Sequence, residues 1–139
     1  MTAAVAARED WELPAEPESV TLVRGRVRAF AEEHGASPAD VVDLTLAVTE
    51  AVTNSVIHAF IDREPGVVRV TISTAADELT VVVADNGRGM QPRADSPGLG
   101  LGLPTIGRLA AQVDMREAPG GGTELSMTFA APGVRGPAR

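Results

Sequence analysis

Hydrophobic residues recur along this chain at two different spacings, and the change of spacing separates helices from strands. Spacings of three and four mark residues 17–34 and 38–58 as amphipathic helices. Alternation marks residues 68–73 and 123–129 as half-buried strands, and the nearly continuous apolar run at 79–84 is typical of a central strand. The full pattern predicts an edge strand at 11–13, helices from 17 and 38, strands at 68–73 and 79–84, a helix from 104, and strands at 113–117 and 123–129. This order favours an α/β two-layer sandwich with a mixed sheet.

The second helix carries two polar side chains that a simple amphipathic helix does not need. Ser37 is a suitable N-cap with Pro38 at the first helical position. The core-facing stripe is Val41, Leu44, Val48, Val52 and Ser55. Glu50 and Asn54 are four residues apart, so they share another face of the helix. A carboxylate and a carboxamide at one point could hold a proton acceptor beside a hard cation. A solvated helix face is the alternative that the spacing alone leaves open.

Asp85 ends the apolar strand, and glycines follow it at Gly87 and Gly89. These glycines allow the backbone to turn sharply and to approach a flat ligand closely. A buried carboxylate that accepts a hydrogen bond from an amino group would suit the adenine amine. An ordinary turn is the alternative reading of this stretch.

Three glycines, Gly98, Gly100 and Gly102, precede the helix predicted from Pro104. Free backbone N–H groups and the positive end of a helix together form an anion site suited to phosphates. Their spacing matches neither the dinucleotide-binding fingerprint nor the P-loop. A flexible hinge is the alternative.

Composition favours one domain, because 139 residues with 44% hydrophobic content can form one adequate core. We expect a flexible leader at 1–10, a single domain at 11–130 and a disordered tail at 131–139. The net charge of −7 argues against nucleic-acid binding, and the absence of cysteine excludes thiolate chemistry. Because no apolar run reaches membrane-spanning length, we expect a cytoplasmic protein without membrane contact.

Together these stretches resemble the GHKL ATPase superfamily. Residues 50–58 resemble its N box, 85–90 its first glycine box, 98–102 its second, and 121–123 its final glycine-threonine station. Within the superfamily, the wording of residues 50–58 resembles the bacterial anti-sigma-factor serine/threonine-protein kinases. The resemblance implies the Bergerat ATP-binding fold, in which helices cover one face of a mixed, mostly antiparallel sheet.

The resemblance also implies roles for individual residues. Glu50 would be the general base, and Asn54 would bind ATP and ligate Mg²⁺. Asp85 would hold the adenine ring with help from Thr123. Arg24 would contact protein partners. The other residues implied to contact ATP are Gly87, Gly89, Met90, Gly98, Leu99, Gly100, Leu101 and Gly102.

The function implied by the resemblance is that of an anti-sigma factor and ATP-dependent serine kinase. Such a protein phosphorylates an anti-anti-sigma (STAS-type) antagonist and sequesters a sigma factor, and the resemblance suggests a homodimer. A nucleotide-dependent binding module with little or no kinase activity and a generic ATPase are the alternatives. The presence of Glu50 favours catalysis, because a binding module would need only Asn54, Asp85 and the glycines.

Overall fold

The computed structural model describes residues 7–58, 66–87, 102–119 and 121–135. Its elements in chain order are β1 (Arg8–Pro14), α1 (Pro17–Glu33), α2 (Pro38–His58), β2 (Val67–Ala75), β3 (Glu78–Asp85), α3 (Gly102–Leu109), β4 (Gln112–Glu117) and β5 (Thr123–Ala130). Every element predicted from the hydrophobic pattern is therefore present. No helix in these ranges has the length and apolar character needed to cross a membrane.

The five strands form one sheet in the order β1-β2-β3-β5-β4. All four neighbouring pairs are antiparallel, so this sheet is more uniform than the mixed one we expected. β3 and β4 do run in the same direction, as two strands joined by a helix commonly do. β5 lies between β3 and β4 and pairs with both, so β3 and β4 are not hydrogen-bonded to each other. The α/β two-layer architecture is confirmed.

The helices cover one face of the sheet because side chains alternate strictly along each strand. Val68, Val70 and Ile72 of β2 are fully buried on the helix side. The opposite face is polar and carries cross-strand ion pairs: Arg69 with Glu12 at 3.0 Å, and Arg116 with Glu124 at 2.8 Å. Such exposed pairs add at most about 1 kcal/mol each. The core therefore lies entirely between the sheet and the helical layer.

The helical layer is built around α2, which packs against both α1 and α3. The backbone N–H of Asp40 donates to the Ser37 hydroxyl at 3.1 Å, which confirms Ser37 as the N-cap. Gly35, with a φ of +97°, lets the chain turn from α1 into α2. α3 begins at Gly102, two residues before the predicted start, because Pro104 is tolerated within the first turn of a helix. The predicted core stripe of α2 is buried throughout.

Both ends of the folded domain extend beyond the predicted boundaries. β1 begins at Arg8, inside the predicted flexible leader, and pairs with β2 along its length. At the other end, Ala131 and Val134 are buried, although composition assigned them to a disordered tail. The N–H of Asp77 donates to the Val134 carbonyl at 3.0 Å, and the N–H of Ala131 donates to the Asp77 carbonyl at 2.9 Å. The β2–β3 turn thus anchors residues 131–135. The remainder of both predicted termini lies outside the described residues.

We predict that Val134→Ala lowers the free energy of unfolding by about 2 kcal/mol, because it removes buried methyl groups and leaves a cavity. Val42→Ala is the matched control, since Val42 is exposed on α2 and should change stability by less than about 0.5 kcal/mol. Denaturant unfolding measures both variants. Equal effects at the two positions would contradict the placement of residues 131–135 in the core.

Candidate functional site

Three elements that are distant in sequence meet where α2 lies over the end of β3. α2 contributes Asn54 and Ser55, β3 ends at Asp85, and β5 begins at Thr123. The N–H of Thr123 donates to Asp85 Oδ1 at 3.3 Å, and the nearby Ser55 hydroxyl lowers the pKa of the same carboxylate. Asp85 is therefore the residue on which the sheet and α2 converge.

Asp85 is buried, and only 5% of its surface is exposed. Its Oδ1 also accepts a hydrogen bond from the Gly87 N–H at 3.0 Å. Burial raises the pKa of Asp85, while hydrogen bonds from Gly87 and Thr123 and the nearby Ser55 hydroxyl lower it and offset part of that rise. An ionised carboxylate has about four acceptor positions, so the backbone N–H groups of Gly87 and Thr123 leave capacity for further donors. Asp85 can thus accept a hydrogen bond from an amino group of a ligand.

Gly122 brings the start of β5 against Asp85. Its φ is +92°, and a Cβ built on it would lie 1.9 Å from the Asp85 carbonyl oxygen. Two backbones can approach this closely only where a side chain is absent. Gly121, with a φ of +102°, has open space around it instead. Gly122 is thus required by a tertiary contact, whereas Gly121 is required only by its backbone conformation.

Asn54 is the second polar group held in the site. The residue is 6% exposed, and its Nδ2 has no hydrogen-bond partner in the described part of the chain. An unsatisfied buried amide costs about 1–3 kcal/mol, so its presence calls for a functional reason. The carboxamide offers an oxygen to a cation and N–H donors to an anion. Glu50 lies one turn earlier on α2 and is only partly buried.

The structure brings several predicted site residues together and leaves others apart. Gly87 and Thr123 both donate to Asp85, and Gly102 opens α3. Arg24 is exposed on α1. The other predicted positions, Gly89, Met90, Gly98, Leu99, Gly100 and Leu101, lie outside the described residues.

Ser55 is the site residue whose role the sequence pattern did not reveal. The periodicity placed Ser55 in the core stripe of α2, and it is indeed buried. Its hydroxyl also lowers the pKa of Asp85, which lies 30 positions later in the chain. A serine within an otherwise apolar stripe was the only sequence signal, because a buried hydroxyl needs a partner.

The model of the histidine kinase-like ATPase domain matches residues 13–129. The chain belongs to this family. The match begins at the end of β1 and runs to the end of β5, so it covers all three helices and strands β2 to β5 almost entirely.

The relatives of this histidine kinase-like ATPase chain include proteins named as a serine-protein kinase and as an anti-sigma F factor. This chain is 42% identical over 78 residues to the serine-protein kinase RsbW of Bacillus velezensis, and the match covers 56% of this chain and 49% of that protein. It is 32% identical over 80 residues to an anti-sigma F factor of Clostridium novyi, covering 58% and 56%. The chain thus spans about half the length of the curated relatives it matches.

A solved structure supports the fold of this histidine kinase-like ATPase domain. The crystal structure of the RsbU and RsbW domains of a Mycobacterium tuberculosis protein superposes with a TM-score of 0.68 at 20% identity. The match covers 96% of this chain and 35% of that one. At this identity the likeness concerns the architecture.

We predict that Asp85→Asn weakens nucleotide binding about 10- to 100-fold without lowering thermal stability. The backbone N–H groups of Gly87 and Thr123 hold the amide oxygen of the variant, so its amide nitrogen faces the ligand. The N–H donors of that nitrogen then meet the amino-group donor of the ligand. The pKa of Asp85 is raised in the folded state, so its stabilising contribution is present below the unfolded pKa and is lost as pH rises through the folded pKa. The Asp85 carboxyl therefore stabilises the fold less at neutral pH than at low pH, and asparagine at this position has no such pH dependence. Calorimetry and thermal unfolding measure the two effects, and unchanged affinity would contradict this role.

We also predict that Gly122→Ala destabilises the domain far more than Gly121→Ala. Both changes place alanine at a positive φ, at a cost of about 1 kcal/mol. Only Gly122→Ala drives a Cβ into the Asp85 backbone, so it should cost several kcal/mol or prevent folding. Denaturant unfolding compares the pair, and equal losses would show that the contact with Asp85 is unimportant.

Proposed function

We propose that this chain is an anti-sigma factor and serine kinase that transfers a phosphoryl group from ATP to an anti-anti-sigma (STAS-type) antagonist. The observation that carries the proposal is the arrangement on α2. Asn54 is buried beside the Asp85 site, and Glu50 is only partly buried one turn away. The names of the relatives, a serine-protein kinase and an anti-sigma F factor, support the same assignment.

The adenine ring of ATP would bind at Asp85. The carboxylate has spare acceptor capacity, which suits the exocyclic amine of adenine and not the oxygen that guanine carries there. Gly122 holds the start of β5 against Asp85, and Thr123 follows it at the same site. This end of the site would therefore select adenine nucleotides.

The triphosphate and Mg²⁺ would bind at Asn54. Its carboxamide fits them, because a side-chain oxygen is a ligand that Mg²⁺ accepts and the partnerless Nδ2 can donate to a phosphate oxygen. Mg²⁺ supplies neutralisation of phosphate charge when it is bound. A nucleotide would thus satisfy an amide that the described residues leave unpaired.

Glu50 would act as the general base. The acceptor serine hydroxyl would pass its proton to the Glu50 carboxylate as its oxygen attacks the terminal phosphorus, and ADP would leave. Phosphoryl transfer depends mainly on positioning and charge neutralisation, so few groups suffice. Partial exposure of Glu50 lets a protein acceptor reach it.

The protein partners belong to the same proposal. The chain would act in the cytoplasm, sequester a sigma factor and release it when an unphosphorylated antagonist competes. Arg24 would contribute to partner binding, since it is exposed on α1 in the helical layer. A homodimer completes the proposal, with no direct contact to nucleic acid.

We predict that Glu50→Gln reduces phosphoryl transfer to the antagonist about 10²- to 10⁴-fold, because the general base is lost. ATP affinity should stay within about twofold, since Glu50 does not hold the nucleotide. The assay uses labelled ATP with STAS-type proteins from the same organism, and calorimetry gives the affinity. Asp43→Asn is the matched control, because it neutralises an exposed acid on the same helix.

Full transfer by Glu50→Gln would contradict the role of the base. A parent protein that binds ATP but phosphorylates none of the antagonists would instead identify a nucleotide-dependent binding module. Steady ATP hydrolysis without a protein acceptor would identify a generic ATPase.

A further inference from the structure

The side of α2 that faces solvent carries large apolar side chains. Val42, Leu46 and Ile57 are 55%, 51% and 55% exposed, and we call these three side chains the outer ridge. Leu46 and Ile57 are eleven residues apart, so at about 100° per residue they point in nearly the same direction. The outer ridge therefore runs along α2 on the side opposite its buried stripe.

The neighbouring helix shows what such a surface normally carries. The charged residues exposed on α1 are Glu18, Arg24, Arg26, Arg28, Glu32 and Glu33. This is the usual polar face of an amphipathic helix. α2 contains no lysine or arginine, and its solvent side presents the outer ridge instead. Exposed apolar side chains that are grouped on one face mark an interaction surface, whereas single ones do not.

Glu50 lies within the outer ridge. Leu46 is one turn before it and Ile57 is two turns after it, and residues four and seven apart share a side of a helix. Glu50 is also partly exposed, as is Thr53 between it and Ile57. The residue assigned as the general base thus borders on the exposed apolar side chains.

The position of Glu50 determines what must cover the outer ridge. A base accepts a proton only from a hydroxyl within about 3 Å of it. The acceptor serine belongs to a folded protein, and even small protein interfaces bury up to about 600 Å² on each partner. A protein whose serine reaches Glu50 therefore also lies on the residues one and two turns away on the same side of α2. Those residues are Leu46 and Ile57.

We propose that the outer ridge of α2 is the docking surface for the protein that carries the acceptor serine. The inference deepens the proposed function and rests on it, because it takes Glu50 as the base. The partner presents apolar side chains around its serine, since apolar surface is what gains free energy by displacing water from the outer ridge. Apolar contact then supplies affinity for the acceptor, while Glu50 receives the proton.

The test compares Leu46→Gln with Met115→Gln. Each change replaces an exposed apolar side chain by a polar one of similar size, but Met115, which is 41% exposed, lies on the edge strand β4 and not on α2. Ile57→Gln is a second variant of the outer ridge and should repeat the effect of Leu46→Gln. Because all three positions are exposed, each variant should fold as the parent protein does, which thermal unfolding checks.

The readout is the kinetics of phosphoryl transfer from labelled ATP to the STAS-type proteins that the parent protein phosphorylates. Leu46→Gln should raise the KM for the antagonist about tenfold and leave kcat within about twofold, because it removes a contact that is made equally before and during the reaction. Glu50→Gln should lower kcat instead. Met115→Gln should change neither constant. The ADP affinity, measured by calorimetry, should be unchanged in Leu46→Gln, Ile57→Gln and Met115→Gln.

An unchanged KM in both variants of the outer ridge, or an equal rise in Met115→Gln, would overturn the inference and leave the proposed function standing. Weaker ADP binding by Leu46→Gln would assign the outer ridge to the nucleotide site and overturn the inference as well. Loss of sigma-factor binding at an unchanged KM would assign the outer ridge to that partner, with the same consequence. A parent protein that phosphorylates no antagonist would overturn the proposed function, and the inference with it.

Discussion

The structure depends on one buried carboxylate. Asp85 lies at the end of the central strand β3, where it accepts hydrogen bonds from the loop after it and from β5. Burying a carboxylate is unfavourable, and burial raises the pKa of Asp85 although the polar groups around it lower the pKa in part. A fold retains such a group when the unused acceptor capacity has a ligand to bind. The residue whose burial is unfavourable is thus the one that we propose to hold the adenine ring.

The surrounding architecture holds this carboxylate in place. The antiparallel sheet places β5 beside β3, so that Gly122 and Thr123 reach the end of β3. α2 packs between α1 and α3, and its buried stripe fixes which residues face the sheet and which face the proposed nucleotide site. Asn54 then presents a partnerless amide, and Glu50 is only partly buried one turn away. Positioning by a rigid scaffold is what phosphoryl transfer requires most.

Much of the fold could be predicted from the sequence, because the two hydrophobic spacings are local. The burial of Val41, Leu44, Val48 and Val52, the Ser37 cap and the order of elements all follow from neighbouring residues. The uniform antiparallel pairing could not be predicted, since it depends on β5 inserting between β3 and β4. The order of residues 131–135 likewise depends on the distant turn at Asp77.

In the site, too, features set by neighbouring residues could be predicted from the sequence, and features set by contacts across the fold could not. Glu50 and Asn54 could be placed on one helix face from their spacing. The need for glycine at 122 was hidden, because it arises from a close approach to Asp85 across the fold.

Calorimetric titration of the intact chain with Mg-ATP and, in parallel, with Mg-GTP tests the central claim most directly. The account predicts saturable binding of ATP and much weaker binding of GTP, because the Asp85 carboxylate can accept from an amine but not from the guanine oxygen. Equal affinities, or no heat with either nucleotide, would contradict it.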